Sequence, residues 1–309
     1  MGLFRKTTDP AAVADIESSR WFSEAQRLMA EKRYDDALHC LDKSIAANPN
    51  NALVWHEKGR MLAMINHEES SLAAYDKAIS LKPNVAVYYH NKGDTLFYFK
   101  HYDEADKYFK KALEIQPDDV VFQTSHARYL AQVKRYKEAD AIMERLCKQE
   151  PRVAQHWFYR AEFMVMAGKL ETAVDFYRAV IQIAPRYSVA HFNCGNVLAK
   201  LGNHKEAVES FEKALKYERS MVGAMNNKGL SYSVLGDHAR AYDCFRRVLI
   251  AQPNNADALF NKGYELLQLE RYDEAIKAFD TCLSVAGDTN RDLIDRAREN
   301  KQLAQAKLQ

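Results

Sequence analysis

Residues Ala86–Asp119 read AVYYHNKGDTLFYFKHYDEADKYFKKALEIQPDD. Large apolar residues recur at helical spacing through Tyr89, Leu96 and Phe97. The spacing breaks at Lys100-His101-Tyr102 and resumes through Ala105, Phe109 and Ala112. Pro117 closes the stretch. This pattern predicts two amphipathic helices joined by a short turn. Each is too short to be stable alone in water, so the pair needs a neighbour of the same kind. Such neighbours lie on both sides. Pro49, Pro83, Pro117, Pro151 and Pro185 are 34 residues apart; Arg219 stands at the next node and Pro253 resumes the series.

A helix–turn–helix pattern with a 34-residue period is the signature of tetratricopeptide repeats, and residues 18–287 resemble that family. With position 1 at Ser18, Ala52, Ala86, Val120, Ala154, Ser188, Val222 and Ala256, eight repeats follow one another without insertion: 18–51, 52–85, 86–119, 120–153, 154–187, 188–221, 222–255 and 256–287. Position 8 is small throughout: Ala25, Gly59, Gly93, Ala127, Ala161, Gly195, Gly229 and Gly263. Position 20 is Ala or Ser, and position 24 is a large knob, as in Tyr75, Phe109 and Phe279. Small residues at fixed places let two helix axes approach closely. A glycine inside a helix costs about 1 kcal/mol relative to alanine, so five of them at position 8 point to a packing demand.

The expected fold is therefore all-α: a right-handed α-superhelix of helix hairpins. Residues 1–17 form a lead and cap. Within them, Thr8 or Asp9 is the expected helix cap, and Val13 and Ile16 are expected to cover the open end of repeat one. Residues 10–17 form either a short helix or an extension of the first repeat helix. Residues 288–309 read as a C-terminal capping helix opened by Asp288 or Thr289, with an apolar stripe of Leu293, Ile294, Leu303 and Leu308. Second helices open with acids, as in Asp35-Asp36 and Asp103-Glu104, which suits the helix dipole. Asn50, Asn84, Asp118 and Asn254 follow node prolines and are expected to start first helices. Repeat six lacks its proline at Arg219, so its second helix is a candidate for extra length.

Composition excludes several classes. Charged residues are 28% and hydrophobic ones 47% of the chain, and the net charge is +2. That balance argues against a strong electrostatic grip on nucleic acid or a membrane surface, and no apolar run is long enough to span a bilayer. The five cysteines show no C-x-x-C pairing and read as reduced packing residues, which suggests a cytoplasmic protein. The N-terminus MGLFRKTTDP lacks an apolar signal region. No Gly-Lys-Ser/Thr phosphate loop and no H-E-x-x-H occur. His56 and His90, one repeat apart with Asp94 beyond, read as polar groove residues rather than metal ligands. No enzyme activity, cofactor or metal is expected.

The family resemblance implies that first helices line a concave side, with positions 2, 5, 6, 9, 12 and 13 facing it. Position 6 holds Asn91, Asn193, Asn227 and Asn261; Asn196 at position 9 and Asn226 at position 5 join them. An amide both donates and accepts, so such a column suits the backbone of an extended peptide. It is similar to the asparagine ladder of peptide-binding glycosyltransferases. Phe158, Phe192 and Phe260 at position 5, with Tyr159 and Tyr264, are expected to floor apolar pockets. Arg60 and Arg128 are candidate contacts for an acidic group, unless they pair across repeats, as Arg60 with Asp94. No repeat has Lys at position 5, so the family's carboxylate clamp is not expected. The expected function is a non-catalytic scaffold that binds an extended peptide or partner helix in its groove. The alternative is an assembly protein acting through its convex face, its ends or self-association. The sequence leaves the oligomeric state open.

Overall fold

The computed structural model describes residues 10–287 and 290–309. The lead, its Thr8 or Asp9 cap and the Asp288 or Thr289 cap fall outside the described residues. Within them the chain is all helix, seventeen α-helices with no strand. It divides into two compact units, Met1–Ile142 and Met143–Gln309.

The first unit contains α1 (Pro10–Ala30), α2 (Tyr34–Ala47), α3 (Ala52–Met64), α4 (Glu68–Leu81), α5 (Ala86–Tyr98), α6 (Tyr102–Ile115), α7 (Val120–Gln132) and the start of α8 (Tyr136–Gln149). The second contains the end of α8, then α9 (Ala154–Met166), α10 (Leu170–Ile183), α11 (Ser188–Lys200), α12 (His204–Tyr217), α13 (Val222–Val234) and α14 (His238–Ala251). It closes with α15 (Ala256–Gln268), α16 (Tyr272–Ala286) and α17 (Arg291–Leu308). Within the first unit α1 to α7 each pack on their sequence neighbours, and within the second α9 to α17 do so, as stacked hairpins do. In the first unit α3 touches α5 and α5 touches α7, and in the second α11 touches α13. First helices thus crowd one side of each unit, the side called inner below.

One device ends every first helix. Position 15 has a left-handed backbone in all eight repeats: Lys32, Asn66, Lys100, Lys134, Gly168, Gly202, Gly236 and Glu270. In repeat three, the Lys100 N–H bonds Phe97 O at 3.1 Å and the His101 N–H bonds Leu96 O at 2.8 Å. This is the Schellman closure, which satisfies orphan carbonyls and turns the chain back. It explains the break in spacing at Lys100.

The small residue and the knob meet as expected. A Cβ on Gly195 would lie 2.7 Å from the Phe211 ring, and one on Gly263 would lie 2.7 Å from the Phe279 ring. Phe109, Phe211, Phe245 and Phe279 are fully buried. All five cysteines are buried and free. No helix among the described residues is long and apolar enough to cross a membrane.

Several local expectations are corrected. Residues 10–17 join the first repeat helix in α1, but Ile16 is 71% exposed and covers nothing. Ser18, two residues on, is buried and bonds Ser44 at 2.9 Å. First helices start one residue later than expected, with Asn51, Asp119 and Asn255 at the N-cap and Asn50, Asp118 and Asn254 in the preceding turn. Asp119 and Asn255 cap with their side chains. In α12 the loss of proline adds no length: it spans 14 residues, like α10 and α14. Asn290 caps α17 by accepting from Leu293 N–H.

Candidate functional site

The inner side of the first unit carries a connected polar chain. Asn91 Nδ2 donates to His56 Nε2 at 2.8 Å, so the His56 hydrogen sits on Nδ1, which lies 3.3 Å from Glu57 Oε1. Asn91 Oδ1 accepts from His90 Nδ1 at 3.1 Å. His90 Nε2 lies 3.0 Å from Ser125 Oγ and 3.4 Å from Asp94 Oδ2. Position 5 of one repeat is thereby tied to position 6 of the next, twice. The rings also pack, with His90 stacked on Phe122 at 4.5 Å and His56 near Tyr88 at 4.8 Å. Burial works to raise the Glu57 carboxyl, but the His56 and Arg60 side chains beside it hold it below the usual range. Burial raises Asp94 above that range despite His90 and Arg128 nearby.

Arg60 corrects one expectation. It bonds Glu57 one turn back at 2.9 Å rather than Asp94; the partner within its own helix is the nearer one. Arg128 acts on Asp94. Both expected arginines are thus engaged with acids of their own unit. Among the described residues no group of three His, Cys, Asp or Glu side chains is placed to hold a metal ion.

In the second unit, three amides form a relay. Asn226 Nδ2 donates to Asn227 Oδ1 at 3.2 Å, and Asn227 Nδ2 donates to Asn196 Oδ1 at 2.7 Å. This relay leaves Asn196 Nδ2 and Asn226 Oδ1 at its two ends. Asn193 bonds the Tyr177 hydroxyl, and burial raises that phenol well above its usual range. Asn261 is half-buried. The structure therefore brings Asn196, Asn226 and Asn227 together by direct bonds. Asn91 belongs to the first unit and its histidine chain.

The position 5 aromatics sit deeper than expected. Phe158 is 6% exposed, against Tyr177 and Tyr187. Phe260 is 4% exposed, against Phe279, and the Arg296 guanidinium of α17 lies 4.5 Å from its ring. The capping helix thus covers what was expected to be a pocket floor. Phe192 is half-buried against Phe211, with Gly223 of the next repeat at its edge. Tyr159 lies beside Phe163. Tyr264 keeps an exposed face, as do Val189, Leu230 and Val234.

Two features escaped the reading of single repeats. A lysine at position 7 reaches the acid at position 25 of the repeat before: Lys58 to Asp42 at 2.6 Å, Lys92 to Asp76 at 2.5 Å and Lys228 to Glu212 at 2.8 Å. Position 4 donates to the proline carbonyl at the preceding node: Trp55 to Pro49 at 2.9 Å, Gln123 to Pro117 at 2.6 Å and Trp157 to Pro151 at 3.1 Å. Both patterns are visible once the repeats are written beneath one another. A third feature is unique. Glu265, 1% exposed, occupies the otherwise mostly apolar position 10 and bonds His238 Nδ1 at 2.7 Å.

Comparison with known proteins bears on the whole chain. A search among curated proteins returns no match. Several solved structures are similar. A tetratricopeptide repeat protein from Parabacteroides merdae is 13% identical, with 81% of this chain and 99% of that one covered and a TM-score of 0.61. Yeast Tom70 is 13% identical, with 100% of this chain and 66% of that one covered and a TM-score of 0.57. PilW, a type IV pilus biogenesis factor, is 19% identical, with 64% of this chain and 92% of that one covered and a TM-score of 0.57. At such identities the likeness is one of fold. Sequence patterns described as tetratricopeptide repeat match residues 22–86, 124–188 and 226–288, and also 86–119 and 188–221. Together with the 34-residue register of hairpins, the Schellman turns and the glycine-to-knob contacts, this coverage means that the chain belongs to the tetratricopeptide repeat family.

Proposed function

We propose that the chain is a non-catalytic protein-interaction scaffold that binds an extended peptide or a partner helix along the inner side of repeats six to eight. The observation that carries this reading is the amide relay of Asn226, Asn227 and Asn196. Its two ends offer one donor and one acceptor, the pair that a peptide unit presents in complement. Asn193 and Asn261 flank it one repeat to either side at position 6, half-buried. Exposed Val189, Leu230, Val234 and Tyr264 supply apolar surface beside the amides. Rigid hairpins hold these groups in place before binding, so little receptor ordering is required.

The test is a triple variant, Asn193→Ala, Asn196→Ala and Asn226→Ala, measured against peptides selected from a displayed library on the unaltered protein. Losing three hydrogen bonds at about 0.5–1.5 kcal/mol each predicts at least about tenfold weaker binding. Circular dichroism checks that the variant stays folded. Unchanged affinity in a folded variant would reject the inner-side reading and favour an assembly role for other surfaces.

A further inference from the structure

The position 7 to position 25 pairing has one junction where its sign is wrong. Lys58, Lys92 and Lys228 each meet a carboxylate of the preceding repeat. Repeat eight keeps the lysine, as Lys262, but position 25 of repeat seven is Arg246. Lys262 is half-buried, like Lys58 and Lys228, and has no acidic partner among the described residues. Arg246 bonds only Asp243, one turn away on its own helix, at 3.3 Å. Arg247 follows it in the exposed row. On the neighbouring α16, Asp280 is taken by Lys301 of α17 at 2.6 Å.

The space beside this lysine varies between repeats. In repeat three, Lys92 lies over the Tyr108 ring at position 23, 4.4 Å from its centroid. Position 23 of repeat eight is Ala278. Repeats two and seven likewise have no ring there, at Ala74 and Cys244, so what sets Lys262 apart is the missing carboxylate. The register thus puts two cations at the two positions that hold an ion pair at three other junctions, in a chain whose net charge is only +2. Like charges at close range are destabilising, and among the described residues only Asp243, 3.3 Å from Arg246, offsets this pair.

We propose that the surface where α14 meets α15, at Arg246 and Lys262, binds a carboxylate side chain of an acidic segment in a partner protein. Lys262 Nζ and the Arg246 guanidinium donate to its oxygens, completing from outside the ion pair that other junctions complete internally. The inference does not depend on the inner-side reading.

A hexaglutamate peptide serves as the probe, with sodium phosphate and sodium chloride at equal ionic strength as comparisons. The full chain is measured by calorimetric titration and by thermal unfolding. Arg246→Glu rebuilds the internal pair, so it should unfold at a higher temperature than the unaltered protein. It should also bind the peptide about tenfold more weakly, the loss of one charge-assisted contact. Lys262→Met should weaken binding similarly, with a smaller gain in stability, since it relieves the repulsion without forming an ion pair. An Arg246→Glu protein that is no more stable, or that binds the peptide unchanged, overturns the proposal. So does a response to phosphate with none to the peptide, which would mark an adventitious ion only.

Discussion

Replacing His238 with alanine should loosen the last two repeats far more than its position at a helix start suggests. The imidazole bonds Glu265 at 2.7 Å; the side chains are 27% and 2% exposed respectively. Removing the ring strands a carboxylate at a position that three other repeats fill with a buried apolar side chain, Met61, Phe163 and Val197. Breaking a buried pair from one side costs about 3–5 kcal/mol. Water can enter where the partly exposed ring stood, so a smaller cost, about 2–3 kcal/mol, is expected. Glu265→Met, by contrast, supplies the kind of side chain that fills this slot in repeat two. The double variant His238→Ala with Glu265→Met should therefore return to within about 1 kcal/mol of the original. Urea unfolding gives the totals, and hydrogen exchange in α14 and α15 localises them, because a repeat array opens piecewise. A His238→Ala cost below about 0.5 kcal/mol, or a double variant as weak as the sum of the singles, would refute the reasoning.

Other perturbations follow from the same geometry. Gly195→Ala places a Cβ 2.7 Å from Phe211, whereas Gly93→Ala places one 3.2 Å from Phe109. Overpacking of about 1–3 kcal/mol against a helix gain of about 1 kcal/mol makes the first destabilising and the second near neutral by thermal unfolding. Glu270 has a left-handed φ of 58°, so Glu270→Gly should stabilise by about 0.5–1 kcal/mol, the strain relieved exceeding the added chain entropy. Burial holds the His126 and His156 imidazoles below their usual range, although Asp106 opposes this for His126. The folded state thus favours their neutral forms, and the unfolded chain takes up protons first. Urea midpoints should fall as pH drops below about 6.5, and a His126→Gln, His156→Gln variant should flatten that slope. Burial raises Asp106 less than Lys110 and His126 lower it, so its share of stability is present above about pH 4 and disappears at lower pH.

Much of the architecture was legible because a repeat states its constraints eight times. Proline spacing set the register, and glycine opposite a bulky ring set the interaxial distance. What stayed hidden depends on relations between copies. The Lys58–Asp42 bond joins residues 16 apart in different hairpins, and no periodicity within one hairpin announces it. Arg60 was expected to hold an acidic group of a ligand or to pair with Asp94, and the choice of Glu57 instead is a matter of local reach. Position 5 looked uniformly groove-facing because the spacing does not report depth. Phe260 is buried through α17, an element outside the repeat register. The amide cluster was visible as residue types, but its direction of donation, from Asn226 through Asn227 to Asn196, required coordinates.

The indoles that clasp node prolines make this protein its own optical probe. Trp55 belongs to the first compact unit and Trp157 to the second, and each donates its only N–H to the chain that links successive hairpins. When either link opens, that indole enters water and its emission shifts to the red. Single-tryptophan versions would therefore report which half of the array lets go first, with no dye attached.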